Sequence, residues 1–529
     1  MALFARRGAA GGVGLAAGVA SLLSAQVPVR TFLLRSGADT VSVERVTRAP
    51  GRVEGELLFR SGNQRWHYLA TVGPDERVLS LESEVRFAAD LPTAPARQSA
   101  HFIFAGDSVF VSVTGPNPLQ QRLGSRQGAI PYINPSFGLV EQAIRRGLVV
   151  KGDSLTLPMF ALSGGVTFMA GLARVGADSL VFTLGGVPTR LGIAADGAIR
   201  GGVIPAQSLR LEVVEGSMAG AFVTVKPDYS APADAPYTAI PVRVPTSMGH
   251  TLAGTLTLPK GGAGAVPAVV TITGSGPEDR DEAIPPVKGY RPFREVADAL
   301  GRRGIAVLRM DDRGFGDSEG TFGTATSRDF ADDIRAGLAF LRARSDIDGS
   351  RLALVGHSEG GLIAPLIAAT DPNLKGIVLM AGPAFTGRKI LEYQNRYALD
   401  RAPNLSPGAR DSLMKVALRI MDSTATAQEW MRFFMAYDPT VTARQVHTPV
   451  LILQGENDRQ VTAEQAPILE QAFRAGGNQD VTMRTYPATN HLFLADPDGN
   501  PAGYPGLPTT TIRPEVLRDL AEWLVRRLH

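Results

Sequence analysis

The chain has 529 residues, a net charge of +3 at neutral pH, no cysteine, and 58 glycines and 37 prolines spread along its length. That length exceeds one ordinary hydrophobic core, so two folded domains are expected. The lack of cysteine excludes disulfides, thiolate metal sites, a cysteine nucleophile and a lipid-modified N-terminal cysteine, and the nearly balanced charge carries no nucleic-acid-binding signature.

Residues 1–25 read as a secretory signal peptide: Arg6-Arg7, then a small, apolar run from Gly11 to Leu23 too short to span a bilayer, then Ser24-Ala25-Gln26. Cleavage after Ala25 or after Ala20 fits, because Leu23 is not the small residue preferred before Ala25. This implies export to the periplasm or extracellular space, with no stable membrane anchor.

Residues 26–225 read as an all-β domain, a sandwich or barrel, from strand patterns and turn residues at short spacing. In the clearest strand Leu79, Leu81, Val85 and Phe87 share one face and Ser80, Glu82, Glu84 and Arg86 the other. One short helix, Phe137 to Arg146, interrupts the strands, and His67 and His101 fall inside strand patterns as packed or surface residues. Residues 226–236, with Pro227, Pro232 and Pro236, form a linker.

Residues 237–529 alternate short apolar strands with amphipathic helices, the pattern of a mostly parallel sheet covered on both sides. The alternation breaks at about 384–440, where helical segments predict a lid over the strand ends. Within the alternation, Leu352-Ala353-Leu354-Val355-Gly356-His357-Ser358-Glu359-Gly360-Gly361 predicts a nucleophile elbow. A buried strand ends there, a strained turn carries Ser358, and a small-residue helix leaves at once, so the backbone N–H of Glu359 faces any oxyanion formed at the serine.

A serine hydroxyl needs a base, and the base an orienting acid. Asp458 follows the strand Val450–Gly455 and His491 follows the strand ending at Tyr486, so serine, acid and histidine each fall just past a strand, in the chain order of an α/β-hydrolase. Glu456 competes for the acid role, and Asp458 is preferred because it lies further into the loop. The other histidines are badly placed for a base, His357 because it lies inside the elbow. The second oxyanion donor is assigned to the N–H of Ser275, with Gly276 as alternative, in the loop Thr273 to Asp281. No P-loop lysine follows these glycines, and no metal or organic cofactor is implied.

Three stretches together, Gly274 to Asp281, Leu308 to Ser318 and Gly356 to Gly361, resemble the bacterial α/β-hydrolase esterases related to the serine aminopeptidase-like and dienelactone hydrolase-like families. The resemblance covers about residues 236–529 and implies a Ser358, Asp458, His491 triad, a helical lid and ester hydrolysis through an acyl-enzyme. Thr273 stands where many relatives carry histidine, and Asp311-Asp312-Arg313 is expected to be an ion-pair cluster that stabilises its loop. The expected protein is a secreted carboxylesterase acting on small-molecule esters with small to medium acyl groups. The alternatives are a serine aminopeptidase or amidase, with Glu278, Asp279 or Asp281 holding a substrate amine, and an exported binding protein whose β half does the work on a degenerate hydrolase scaffold. Oligomeric state is left open.

Overall fold

The computed structural model describes residues 28–529 except 38, 60–63, 89–94, 116–117, 151–153, 163–164, 185–186, 208, 219–226, 262–263, 285–286 and 403–404. The signal peptide expected at 1–25 lies outside the described residues. Among those described, no helix is long and apolar enough to cross a membrane.

Fifteen strands, from β1 (Val29–Ser36) to β15 (Leu209–Glu215), form one continuous sheet. Each strand pairs with its chain neighbour from β1 to β8 (Leu119–Gly124) and from β9 (Ile130–Tyr132) to β15, and β1 closes the order by pairing antiparallel with β15. Among the described residues of this half there is no second sheet, so the expected two-sheet sandwich is not formed there. The sheet also stops short of a closed barrel, since β8 and β9 share no ladder among the described residues.

The apolar face has a helix as its partner instead. Leu139, Ala143 and Ile144 of α1 (Phe137–Val150) share a core with Leu57, Leu81, Phe102, Met159 and Leu172 of the strands. A Cβ added to Gly138 would lie 2.3 Å from the Tyr68 hydroxyl, so the helix lies directly on the sheet. Its first turn is held by Glu44, whose carboxylate accepts from the N–H groups of Phe137 (2.6 Å) and Gly138 (2.9 Å) and from the hydroxyls of Ser136 (2.5 Å) and Tyr68 (2.7 Å). Burial pushes the Glu44 carboxyl up despite these bonds, each of which lowers it. In the strand read most clearly from its alternation, Leu81 is buried and Glu82 exposed, but Leu79 is 47% exposed, next to a register shift opposite Thr71 and Val72. His67 bonds Glu54 at 2.8 Å and His101 is exposed.

The described part of the linker, from Pro227, has no helix or strand, yet it is not a free tether. The Tyr229 hydroxyl donates to Asp279 (3.0 Å), and the guanidinium groups of Arg280 and Arg291 lie 4.2 and 5.3 Å from its ring centre.

The second sheet contains β16 (Tyr237–Pro245), β17 (Thr251–Pro259), β18 (Val266–Ile272), β19 (Ala306–Met310), β20 (Ile347–His357), β21 (Gly376–Met380), β22 (Val450–Gly455) and β23 (Val481–Tyr486), in the order β16-β17-β19-β18-β20-β21-β22-β23. Only β17 runs against the rest. Helices α2 (Pro292–Gly301), α3 (Ser327–Arg342) and α4 (Glu359–Ala368) follow β18, β19 and β20. Between β21 and β22 come α5 (Gly387–Arg401), α6 (Pro407–Ala427), α7 (Glu429–Ala436) and α8 (Pro439–Ala443); α9 (Gln465–Ala475) and α10 (Pro514–Leu528) complete the set. The cores assign α3, α4 and α9 to one face of the sheet and α2 and α10 to the other. From β18 the chain steps outward to β19 and then crosses back to β20, so a crevice opens above the carboxyl ends of β18 and β20, where ligands bind in such sheets.

Candidate active site

Strand β20 ends in that crevice and the chain turns at Ser358, which has φ 52° and ψ −114°. A side-chain-bearing residue pays strain to sit there, and the surrounding structure over-determines it. The Ser358 N–H donates to Met380 O (2.8 Å), and its carbonyl accepts from Gly361 N (2.9 Å). A Cβ on Gly356 would lie 2.1 Å from Gly360 O, and one on Gly360 would lie 2.1 Å from Ile272 O. The sequence thus turns from strand to helix without clash only because these positions are glycine.

Asp458 follows β22 and is fully buried. One of its oxygens accepts from the N–H groups of Gln460 (2.8 Å) and Val461 (2.9 Å), and the other from the Gln454 amide (3.1 Å) and His491 Nδ1 (2.7 Å). A carboxylate at Nδ1 keeps the proton there and leaves Nε2 as the acceptor nitrogen. Glu456 is exposed and takes the Thr485 hydroxyl instead. The loop carrying His491 is pinned by Asn490, whose side chain accepts from Leu492 N and Leu494 N, both at 3.0 Å. Val287, Tyr290, Leu492, Leu494 and Tyr504 form a small core beneath it.

Asp458 and His491 are therefore in direct contact, and the His491 ring centre lies 4.9 Å from that of His357, the residue before Ser358. The Ser358 hydroxyl makes no hydrogen bond among the described residues.

The loop after β18 lies against the elbow: a Cβ on Gly274 would be 3.5 Å from Ser358 Cβ. The Gly274 N–H is already used by Glu278 (2.9 Å) and Glu282 (3.1 Å). Among the described residues, the N–H groups of Ser275, Gly276 and Glu359 have no backbone or side-chain acceptor, so the three expected oxyanion donors remain free. Thr273 ties the loop to Asp312 through its hydroxyl (2.9 Å), and Glu278 N does so at 2.9 Å. Of the expected ion-pair cluster, Asp311 pairs with Arg280 and Arg313 with Asp333, both at 2.6 Å, whereas Asp312 accepts the Thr273 and Glu278 bonds and has no ion pair among the described residues.

Two of the three carboxylates considered for holding a substrate amine are committed elsewhere. Asp279 accepts from Tyr229 and from the N–H groups of Asp281 and Ala283, and Asp281 is buried between Arg309 and Arg291. A loop this rich in charge reads as a recognition surface in sequence, but burial has turned those charges inward onto cations and turn N–H groups. Only Glu278 keeps some exposure; burial, with Glu282 and Asp312 close by, pushes its carboxyl well above the usual range.

Contacts that no sequence signal announced complete the site. His357 Nδ1 meets Glu282 at 2.5 Å and its Nε2 meets His491 O at 3.0 Å. The Glu359 side chain, next to Ser358 in the chain, accepts from Ser327 (2.6 Å) and from the Trp430 indole of α7 (2.9 Å), and burial raises its carboxyl. Among the described residues, no group of three or more His, Asp or Glu side chains is arranged to hold a metal ion.

A strained serine elbow at the carboxyl edge of a mostly parallel sheet, with an acid and a histidine supplied after the last two strands, defines an α/β-hydrolase domain. Residues 289–498 match the family described as "Serine aminopeptidase, S33". Esterase EstD of Thermotoga maritima is 27% identical over 285 residues, 52% of this chain and 66% of that esterase. An uncharacterized protein of Mycobacterium tuberculosis is 33% identical over 132 residues, 25% of this chain and 41% of its own. Among solved structures, the Pyrococcus furiosus esterase Pf2001 gives a TM-score of 0.40 at 17% identity, over 58% of this chain and 96% of its own. The chain thus spans just under two thirds of EstD and less than half of the mycobacterial relative. The family match and the EstD similarity bear out the resemblance to α/β-hydrolase esterases read from the three motifs.

Proposed function

We propose that the protein is a serine hydrolase that cleaves carboxylic esters with small to medium acyl groups. The observation that carries this is the buried Asp458–His491 pair, 2.7 Å long, set beside a serine held at φ 52°. Ser358 Oγ attacks the ester carbonyl while His491 Nε2 takes its proton, and Asp458 stabilises the imidazolium. The N–H groups of Glu359 and Ser275, with Gly276 as alternative, hold the oxyanion. His491 then returns the proton to the leaving alcohol, and water releases the acid from Ser358 by the same steps in reverse. The similarity to EstD supports the ester class. Helices α5 to α8 act as the lid, a role supported by their insertion after β21 and by the bond from Trp430 to Glu359.

The test is hydrolysis of p-nitrophenyl esters of graded chain length by the wild type and Ser358→Ala. Turnover is expected to fall by at least about a thousandfold in the variant; turnover that survives the substitution removes the assignment. The family description favours a second reading, an aminopeptidase; turnover of aminoacyl p-nitroanilides with no turnover of esters selects it. The proposal includes export, supported by the composition of residues 1–25, and fractionation of expressing cells that leaves the protein in the cytoplasm counts against it.

A further inference from the structure

The elbow contains a second histidine–carboxylate pair that the mechanism above does not use. His357 and Glu282 are both buried, at 2% and 1% exposure, and each makes more than one contact. Nε2 of His357 faces the carbonyl of His491, and a carbonyl oxygen only accepts, so that nitrogen must carry hydrogen. Its Nδ1 faces Glu282 Oε1 at 2.5 Å, a distance at which two lone pairs would repel, so one proton lies between them. The same carboxyl oxygen accepts from Gly274 N, the residue that precedes the proposed oxyanion donors. A single path therefore runs from Gly274 through Glu282 and His357 to the backbone of His491.

Resting on the serine-hydrolase reading, we propose that Glu282 and His357 are positioning residues that share one proton and lock the oxyanion loop to the loop of the catalytic base. Neither makes or breaks a bond to substrate. Glu282 sits at φ 57°, strained like the elbow, and its second oxygen has no partner among the described residues, so His357 and the Gly274 N–H, both on the first oxygen, restrain this carboxyl. The other titratable groups facing it are Glu278, Tyr290, Asp458 and His491. Burial favours neutral Glu278 and neutral Tyr290. Burial alone would lower the His357 imidazole, but Glu282, its hydrogen bond, the His491 carbonyl and Asp458 outweigh it and hold the imidazole above the ordinary histidine value.

The experiment compares Glu282→Ala and Glu282→Gln in the full chain, with a proton NMR measurement alongside. Glu282→Ala leaves the His357 nitrogen without its partner and the Gly274 N–H with Glu278 alone, and kcat is expected to fall about ten- to a hundredfold with KM within about twofold. Glutamine can turn its NH2 group to Nδ1 and donate a proton it cannot lose, while the Gly274 N–H keeps Glu278 as its acceptor. Glu282→Gln should therefore recover most of that kcat and lack the fall at alkaline pH that the wild type shows as its shared proton is lost. Equal losses in both variants, or no loss in Glu282→Ala, overturn the proposal. If Glu282→Ala does not fold, Ser358→Ala protein supplies the measurement. It should show two strongly downfield imidazole protons, of which Glu282→Gln removes one and Asp458→Asn the other; a single such proton, assigned to Asp458–His491, overturns the proposal. Because that readout needs no turnover, failure of the esterase assignment and failure of this pair are told apart.

Discussion

Replacing Asp458 by asparagine tests the site at its best-defined point. The carboxylate accepts four hydrogen bonds, two on each oxygen. Asparagine offers one oxygen and one NH2 group. If the NH2 faces Gln460 N and Val461 N, a part-buried and a buried N–H group lose their acceptor, at up to about 1–3 kcal/mol each, so the oxygen stays there. The NH2 group then faces His491 Nδ1, which can meet it only as an acceptor. The proton moves to Nε2, and the nitrogen turned to Ser358 can no longer take the serine proton. The imidazolium also loses its counter-charge. The expected loss in kcat is about 10³- to 10⁴-fold, the scale seen when a triad acid is neutralised with its geometry kept, with little change in KM. The assay is single-turnover and steady-state hydrolysis of a p-nitrophenyl ester, with thermal unfolding to show that the fold is intact. A loss below tenfold in a folded variant refutes the reasoning.

Two further predictions concern stability and the linker. Glu295 on α2 accepts from Ile512 N (3.0 Å) and burial raises its carboxyl from 4.5 to about 7. A raised folded-state value means its contribution is fully present below about pH 4.5 and is lost as pH climbs through 7, about 3 kcal/mol in all before any screening by solvent. Glu295→Gln keeps an acceptor without the charge, so it should match the wild type at pH 4 and be more stable at pH 8 by about 2 kcal/mol in urea unfolding; equal stability at pH 8 contradicts this. Tyr229→Ala removes the bond to Asp279 and both cation–π contacts, so it should destabilise the hydrolase domain by about 2 kcal/mol and lower kcat several-fold, whereas Tyr229→Phe keeps the ring contacts and should lose about half as much stability. Unchanged stability and kcat in Tyr229→Ala would make the linker a simple tether.

Much of the second domain was legible in the sequence. Apolar runs such as Val450 to Gly455 have one possible home, a strand buried on both faces, and the glycines around Ser358 permit one kind of turn. Asp458 and His491 were legible as a candidate acid and base because a parallel sheet delivers loops to one edge in chain order, so each needed only its position after a strand. The N-terminal half was less so. Alternation in a strand such as Val78–Phe87 shows that one face is buried but not against what, and among the described residues the helix α1 packs where a second sheet was expected.

Sequence alone thus singled out the residues proposed to carry the chemistry: local turn geometry and strand order are short-range properties of the chain. Tertiary structure alone decided their environment. It turned Asp279 and Asp281 inward onto Tyr229, Arg291 and Arg309, and it joined Glu282 to His357 across 75 residues. A pairing between two loops has no periodicity to announce it. It arises only when packing brings both loops to the same buried point, where a charge or donor left without its partner would cost too much to keep.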